Sequence, residues 1–196
     1  MKTSIKQNFK QLLLIVFSVV LGLYLSERIE ERKNKKEAAR LLSKIASEVD
    51  RNKKLLEDWI PYHRDMVNRL DSLNNEEVFI KNFIDDASVL FEKVIYRGNL
   101  MGETPSNEAW DIAKSHPLIV NFDYDDLLIL TRTYNQQEMT YEPVPKLVEL
   151  FLSSDFNSSE NAKLNLQTFK NKIREIVSRE MQLLSYINEG GETLKQ

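Results

Sequence analysis

Residues 10–36, KQLLLIVFSVVLGLYLSERIEERKNKK, join an apolar run to a densely charged one, and the reading of that junction decides the fold. From Leu12 to Leu25 only Ser18 and Gly22 interrupt the hydrophobic side chains, and no charge falls between Gln11 and Ser26. As an α-helix this run rises about 21 Å, short of the roughly 30 Å hydrocarbon core of a bilayer. Adding Phe9 and Ile29, with Lys10, Glu27 and Arg28 reaching toward headgroups and Tyr24 at an interface, gives a spanning length. The exit, GLYLSERIEER, lacks the small-x-small pattern that signal peptidase requires. An uncleaved anchor in contact with lipid is therefore expected, ahead of a removed signal or a soluble core helix.

The flanking charges pull in opposite directions. Lys2, Lys6 and Lys10 precede the run, whereas Arg28, Arg32, Lys33, Lys35, Lys36 and Arg40 come after it. Counting positive charges favours a cytoplasmic C-terminal part; a basic start with a short apolar run is the layout that exports the remainder of a chain. The two rules leave the side of the C-terminal part open, with a slight preference for the exported one.

Composition agrees with a helical chain. Among 196 residues there are only five Gly and five Pro, and no turn-rich alternation of an all-β protein appears. The formal net charge is −3, with bases in excess over the first fifty-odd residues and acids afterwards, which points to an anionic surface near the N-terminus. Cysteine is absent, which excludes disulfides, thiolate metal ligands and thiol catalysis.

From Leu42 the apolar residues keep a three-four spacing through Ile45, Val49, Leu56, Trp59, Met66, Leu70 and Leu73, with Asn52 and His63 the polar members. Leu41, Ala46, Leu55, Ile60, Tyr62 and Val67 flank that seam. So wide a stripe suits a helix packed against two or more neighbours better than a two-stranded coiled coil. Pro61 falls on the polar face, where it is expected to kink this helix rather than end it.

A second helical segment is predicted from about Glu76 to Tyr96, carrying Ile80, Phe83, Ile84, Leu90, Phe91 and Val94. Thr104 and Pro105 suit the cap and first position of a short helix that stops at His116 and Pro117. Further helices are predicted from near Asp123 to Pro143, over KLVELFLSS, and from DFNSSENAK onward through Leu166, Phe169, Ile173, Ile176, Val177, Leu184 and Ile187, ending at Gly190 and Gly191. The expected layout is a basic tail (1–10), a transmembrane anchor (11–28), a basic juxtamembrane stalk (29–40), a helical bundle (41–189) and a flexible C-terminal tail (190–196). The fold class is all-α, the transmembrane helix continuing into a long stalk helix that packs in the bundle.

The stretches ERIEERK (27–33), LLSKIASEVDRN (41–52) and TPSNEAWDIAKSHPLIVNFDYDDLLILTRTYNQQE (104–138) give the chain a resemblance to a family. It resembles a widespread group of bacterial single-pass membrane proteins with a helical stalk and a threonine-initiated Ala-Trp helix. The likeness rests on Thr104, Ala109, Trp110, Tyr124, Leu128 and Tyr134. Members often carry an Asn-Trp pair just after the span, where this chain has Ser26 and Glu27. The group has no established activity, so the likeness implies an architecture and no chemistry.

Candidate chemistry is sparse. His63, with Glu57 and Asp65 nearby in sequence, is the leading catalytic or metal candidate, yet a seam position on a helix suits a buried structural histidine better. The Glu-x-x-His pairs of a di-iron bundle are missing. Asp123, Asp125 and Asp126 lack the glycine and distant glutamate of a calcium loop, and acids at a helix start already serve to cap it. Trp59 and Trp110 are read as core fillers rather than the lining of a ligand groove. No phosphate loop, Gly-x-Ser-x-Gly elbow or HExxH occurs. The basic stalk lacks interleaved aromatics and is balanced by Glu37 and Glu48, which argues against nucleic acid and for anionic lipid or solvent.

No catalytic, cofactor-binding or metal residue is assigned, and no cofactor is implied. The sequence favours a non-enzymatic scaffold or interaction module in a bacterial inner membrane, binding a protein partner or a second copy of itself. A sensory input domain acting through a partner is the alternative, and an enzyme with a carboxylate site at Asp123, Asp125 and Asp126 comes third.

Overall fold

The computed structural model describes residues 2–193, and every regular element among them is helical. The first, α1, runs unbroken from Lys2–Leu73, 72 residues and roughly 107 Å at the usual rise. It is the one described helix long and apolar enough to cross a membrane. Every large apolar side chain from Phe9 to Leu25 is exposed, and burial on α1 begins only at Ala38. Pro61 does not end the helix: it sits on the exposed face, and the buried seam passes it on the other side through Ile60, Tyr62 and His63.

Seven shorter elements build on the far half of α1. They are α2 (Glu77–Asp85), α3 (Val89–Lys93), α4 (Glu108–Ser115), a 3-10 turn (Pro117–Asn121), α5 (Tyr124–Tyr141), α6 (Val144–Leu152) and α7 (Ala162–Thr193). The frame is α1 with α7 beside it and α5 against α7. His63 meets Glu180, and Asp71 meets Lys170 and Arg174, so α7 runs antiparallel to α1. Hydrogen bonds to Asp71, that from Lys170 foremost, hold its carboxyl below the usual range. Gln136 bonds Gln182 and Thr140 bonds the Arg179 carbonyl, so α5 is antiparallel to α7 and parallel to α1.

Two apolar cores fill the frame. Near the stalk, Ile45, Val49 and Leu56 pack with Trp110, Leu130, Leu183 and Ile187. Farther out, Met66 and Leu70 pack with Phe83, Leu90, Phe156 and Phe169. His63, Glu180 and Thr140 lie on their helices where one core gives way to the other, and all three are buried.

The structure corrects three predicted boundaries. The segment from Glu76 to Tyr96 is two helices, because the Asp86 carboxylate accepts from both the Ser88 amide and its hydroxyl, a local turn that competes with continued helix. The helix expected to start at Thr104 and Pro105 starts at Glu108, for a reason that belongs to the site below. The last helix does not stop at Gly190 and Gly191 but continues to Thr193; of the two tails, Met1 and residues 194–196 lie outside the described residues.

Gly190 is buried where α7 meets α5, and a Cβ there would lie 2.5 Å from Cγ2 of Ile129. That methyl is rigidly held on a β-branched side chain, so the helices would have to part. Gly190→Ala is expected to destabilise by about 1–3 kcal/mol despite its better helix propensity. Thermal unfolding of the single and of the Gly190→Ala/Ile129→Ala double variant checks this: the loss attributable to Gly190→Ala should largely vanish once Ile129 is truncated.

Candidate functional site

The segment between α3 and α4 has no regular structure, yet α1 pins it at three heights. Tyr62 donates to the Asn99 carbonyl at 2.8 Å, and His63 Nε2 reaches the Leu100 carbonyl at 2.8 Å. Asn52 grips Ser106 in both directions, its Nδ2 donating to the carbonyl at 2.6 Å and its Oδ1 accepting from the amide at 2.9 Å. Gly98, with φ 78°, supplies the left-handed turn that leads into this strap.

Glu48 completes the attachment. Although 1% exposed, its carboxylate is fully engaged: Oε2 accepts from the Ser106 hydroxyl at 2.9 Å and the Ala109 amide at 2.8 Å. Oε1 accepts from the Tyr134 hydroxyl at 2.7 Å and the Trp110 amide at 3.4 Å. The first amides of a helix have no partner within it, and a negative charge there also complements the helix dipole. Asn107, the residue before α4, makes no capping bond with its side chain. The cap of α4 comes instead from α1, which is why the helix begins at Glu108 rather than at Thr104.

Above this network lies a cleft of about 530 Å³ between α4 and α5. Trp110, Tyr134 and Tyr141 contribute its aromatic walls and Asp111, Lys114 and Glu138 its charges. Trp110 and Tyr134 stack at 5.5 Å with their planes 6° apart. Lys114 bonds Asp111 at 2.8 Å and lies 5.8 Å from the centre of the Trp110 ring. Burial, reinforced by the hydrogen bond to Glu48, pushes the Tyr134 hydroxyl far above its ordinary value. Burial and the charge of Glu180 do the same for Tyr141, so both phenols stay protonated donors.

Tyr141 connects the cleft to the buried histidine. Its hydroxyl lies 3.4 Å from Glu180 Oε1, and the same carboxylate is 2.9 Å from His63 Nδ1. A neutral imidazole has one N–H, yet both nitrogens of His63 face acceptors. Trp59 stacks on the imidazole at 5.4 Å.

The partners expected for His63 from sequence lie elsewhere. Asp65 pairs with Arg69 at 2.6 Å, and Glu57 lies 3.9 Å from Lys53. No group of three or more His, Cys, Asp or Glu able to hold a metal occurs among the described residues. Asp123 caps α5, accepting from the Asp125 amide at 2.9 Å, and burial with the charges of Asp123 and Asp125 raises the Asp126 carboxyl. Of the six residues carrying the family resemblance, Thr104, Trp110 and Tyr134 line the cleft and Ala109 donates to Glu48, while Tyr124 and Leu128 are exposed outside it. Sequence reasoning missed Glu48, which reads there as a counter-charge to the stalk, and Glu180. Compared with known protein families, curated proteins and solved structures, the chain has no match.

Proposed function

We propose that the chain is a non-enzymatic, membrane-anchored helical module that holds a partner-binding bundle clear of the bilayer. The observation carrying this reading is the continuity of α1, whose exposed apolar end and buried bundle seam belong to one unbroken helix. Between Leu25 and Ala38 the helix rises about 20 Å, enough to lift the bundle past the headgroups. Arg28, Arg32, Lys33, Lys35 and Lys36 on that stretch, with Arg40 just beyond it, suit anionic lipid. The bacterial inner membrane and an exported bundle complete the proposal, resting on the charge layout and the family resemblance.

Fractionation tests it. The full chain should stay with membranes through alkaline carbonate, and Leu14→Lys/Val19→Lys should release it. A reporter active only outside the cytoplasm, fused after Gln196, should be active. Wild-type protein that washes off with carbonate would end the anchored reading, and an expressed but silent reporter would reverse the orientation.

A second reading, sensory input, draws on a different observation. The helix that leaves the membrane-crossing segment also supplies Glu48, Asn52 and His63, so a shift of α1 is felt at the strap and the cleft. Inserting one residue near Lys36 rotates the two ends of α1 by about 100° relative to each other. Under this reading the insertion alters a cellular response; under the scaffold reading it leaves partner binding intact.

A further inference from the structure

The cleft between α4 and α5 carries a more specific chemistry than docking alone. Two carboxylates, Asp111 and Glu138, stand in its lining against one cation, Lys114, and that cation is already engaged by Asp111 at 2.8 Å. Behind the Trp110 and Tyr134 walls sits Glu48, whose hydrogen-bond donors are all neutral groups: a hydroxyl, a phenol and two amides. Glu180 lies behind Tyr141, against the His63 ring. No arginine lines the cleft, so nothing in it offers the forked donor that recognises a carboxylate or phosphate.

The aromatic walls point the same way. A phenol donating to a carboxylate passes electron density into its ring and deepens the negative face that attracts cations. Tyr134 does this toward Glu48 and Tyr141 toward Glu180. Lys114, set over Trp110, shows that one wall already faces an ammonium group. We infer that this cleft binds an organic cation, an alkylammonium or guanidinium group taken against the Trp110 ring where Lys114 now lies, with Tyr134 and Tyr141 in the lining and Glu138 and Asp111 as counter-charges. The cation belongs either to a basic side chain of a protein partner or to a free amine. This deepens the partner-binding reading of the bundle and does not require the anchor, since the cleft lies entirely within the bundle.

Lys114 is the internal competitor, which gives the inference a signed consequence. Replacing it with methionine frees Asp111 and takes the competing ammonium off the Trp110 ring, so binding should tighten several-fold, whereas Glu138→Gln should weaken it at least roughly threefold. The experiment uses the full chain in uncharged detergent micelles, tracking the indole N–H resonance of Trp110, assigned with Trp59→Phe. The probes are tetramethylammonium, N-acetyl-lysine methylamide, the neutral N-acetyl-norleucine methylamide and the peptide Gly-Ala-Lys-Ala-Gly.

A saturable shift with the cations and none with norleucine is expected, with the ranking Lys114→Met tighter than wild type and wild type tighter than Glu138→Gln. A peptide that binds more tightly than the free amines identifies a protein side chain as the source; parity identifies a small amine. An equal response to norleucine, or no saturable response to any cation, overturns the inference. Fractionation into the soluble pool would leave this result standing, so the two readings fail separately.

Discussion

Glu48→Ala is expected to lower the stability of the bundle by about 3–5 kcal/mol, which for a chain of this size is a fall in melting temperature of roughly 10 °C. Four donors converge on this carboxylate, and alanine leaves them without a partner where water has little access. Each unsatisfied buried donor costs about 1–3 kcal/mol, less whatever relaxation lets water enter. Against that loss stands the relief of no longer burying a charge, which brings the total below the sum of four donors. Glu48→Gln should fall between, because its remaining carbonyl oxygen still serves Tyr134 or Trp110 while its amide meets donors with another donor. Tyr134→Phe, which removes one donor with its bond, should cost only about 1 kcal/mol. Circular dichroism melts rank the three. Hydrogen exchange gives the sharper test, since α4 should lose protection at Ala109 and Trp110 before the rest of the bundle opens. A Glu48→Ala protein within about 1 kcal/mol of wild type, or one that keeps α4 protected, would show that Asn107 and solvent suffice as a cap.

The frame was open to inspection in the sequence because periodicity reports burial directly. The seam from Leu42 to Leu73 and the spacing from Leu166 to Ile187 placed α1 and α7, and the residues they named are mostly the ones buried. Where local chemistry competes with periodicity the prediction slipped. The apolar spacing from Ile80 to Val94 reads as one helix, yet the two bonds between Asp86 and Ser88 divide it. Gly190 and Gly191 looked like a terminator, yet Gly190 is there because a side chain has no room beside Ile129. The site was harder still, because its partners are remote: Glu48 caps α4 at Ala109, 61 residues away, and His63 finds Glu180, 117 residues on. One signal was present and unused. Glu180 falls in the three-four series of Ile173, Ile176, Val177, Leu183 and Ile187, where a carboxylate has no reason to be unless something inside the bundle receives it.

That receiver is His63, and removing either member should cost about 3–5 kcal/mol. In His63→Ala the buried Glu180 keeps only Tyr141, at 3.4 Å, and the Leu100 carbonyl loses its donor, so the strap should loosen from residues 99 to 104. In Glu180→Ala the ring keeps its bond to Leu100 but Nδ1 faces an empty space. Glu180→Gln separates charge from packing. The glutamine amide can donate to an unprotonated Nδ1 while Nε2–H still serves Leu100, so every group is satisfied with a neutral ring and the cost should drop to about 1 kcal/mol. Two measurements decide the matter. In a double-mutant cycle by urea unfolding, His63→Ala/Glu180→Ala should cost clearly less than the two single losses added together, by about 1–3 kcal/mol; strict additivity would mean the contact carries no coupling. Nitrogen-15 shifts of the His63 ring should show a proton on Nε2, the atom that faces the Leu100 carbonyl. Glu180→Gln should leave that Nε2–H in place. A wild-type ring with its single proton on Nδ1 would leave Nε2 as a lone pair against the Leu100 carbonyl, and would break the link from α7 through α1 to the strap.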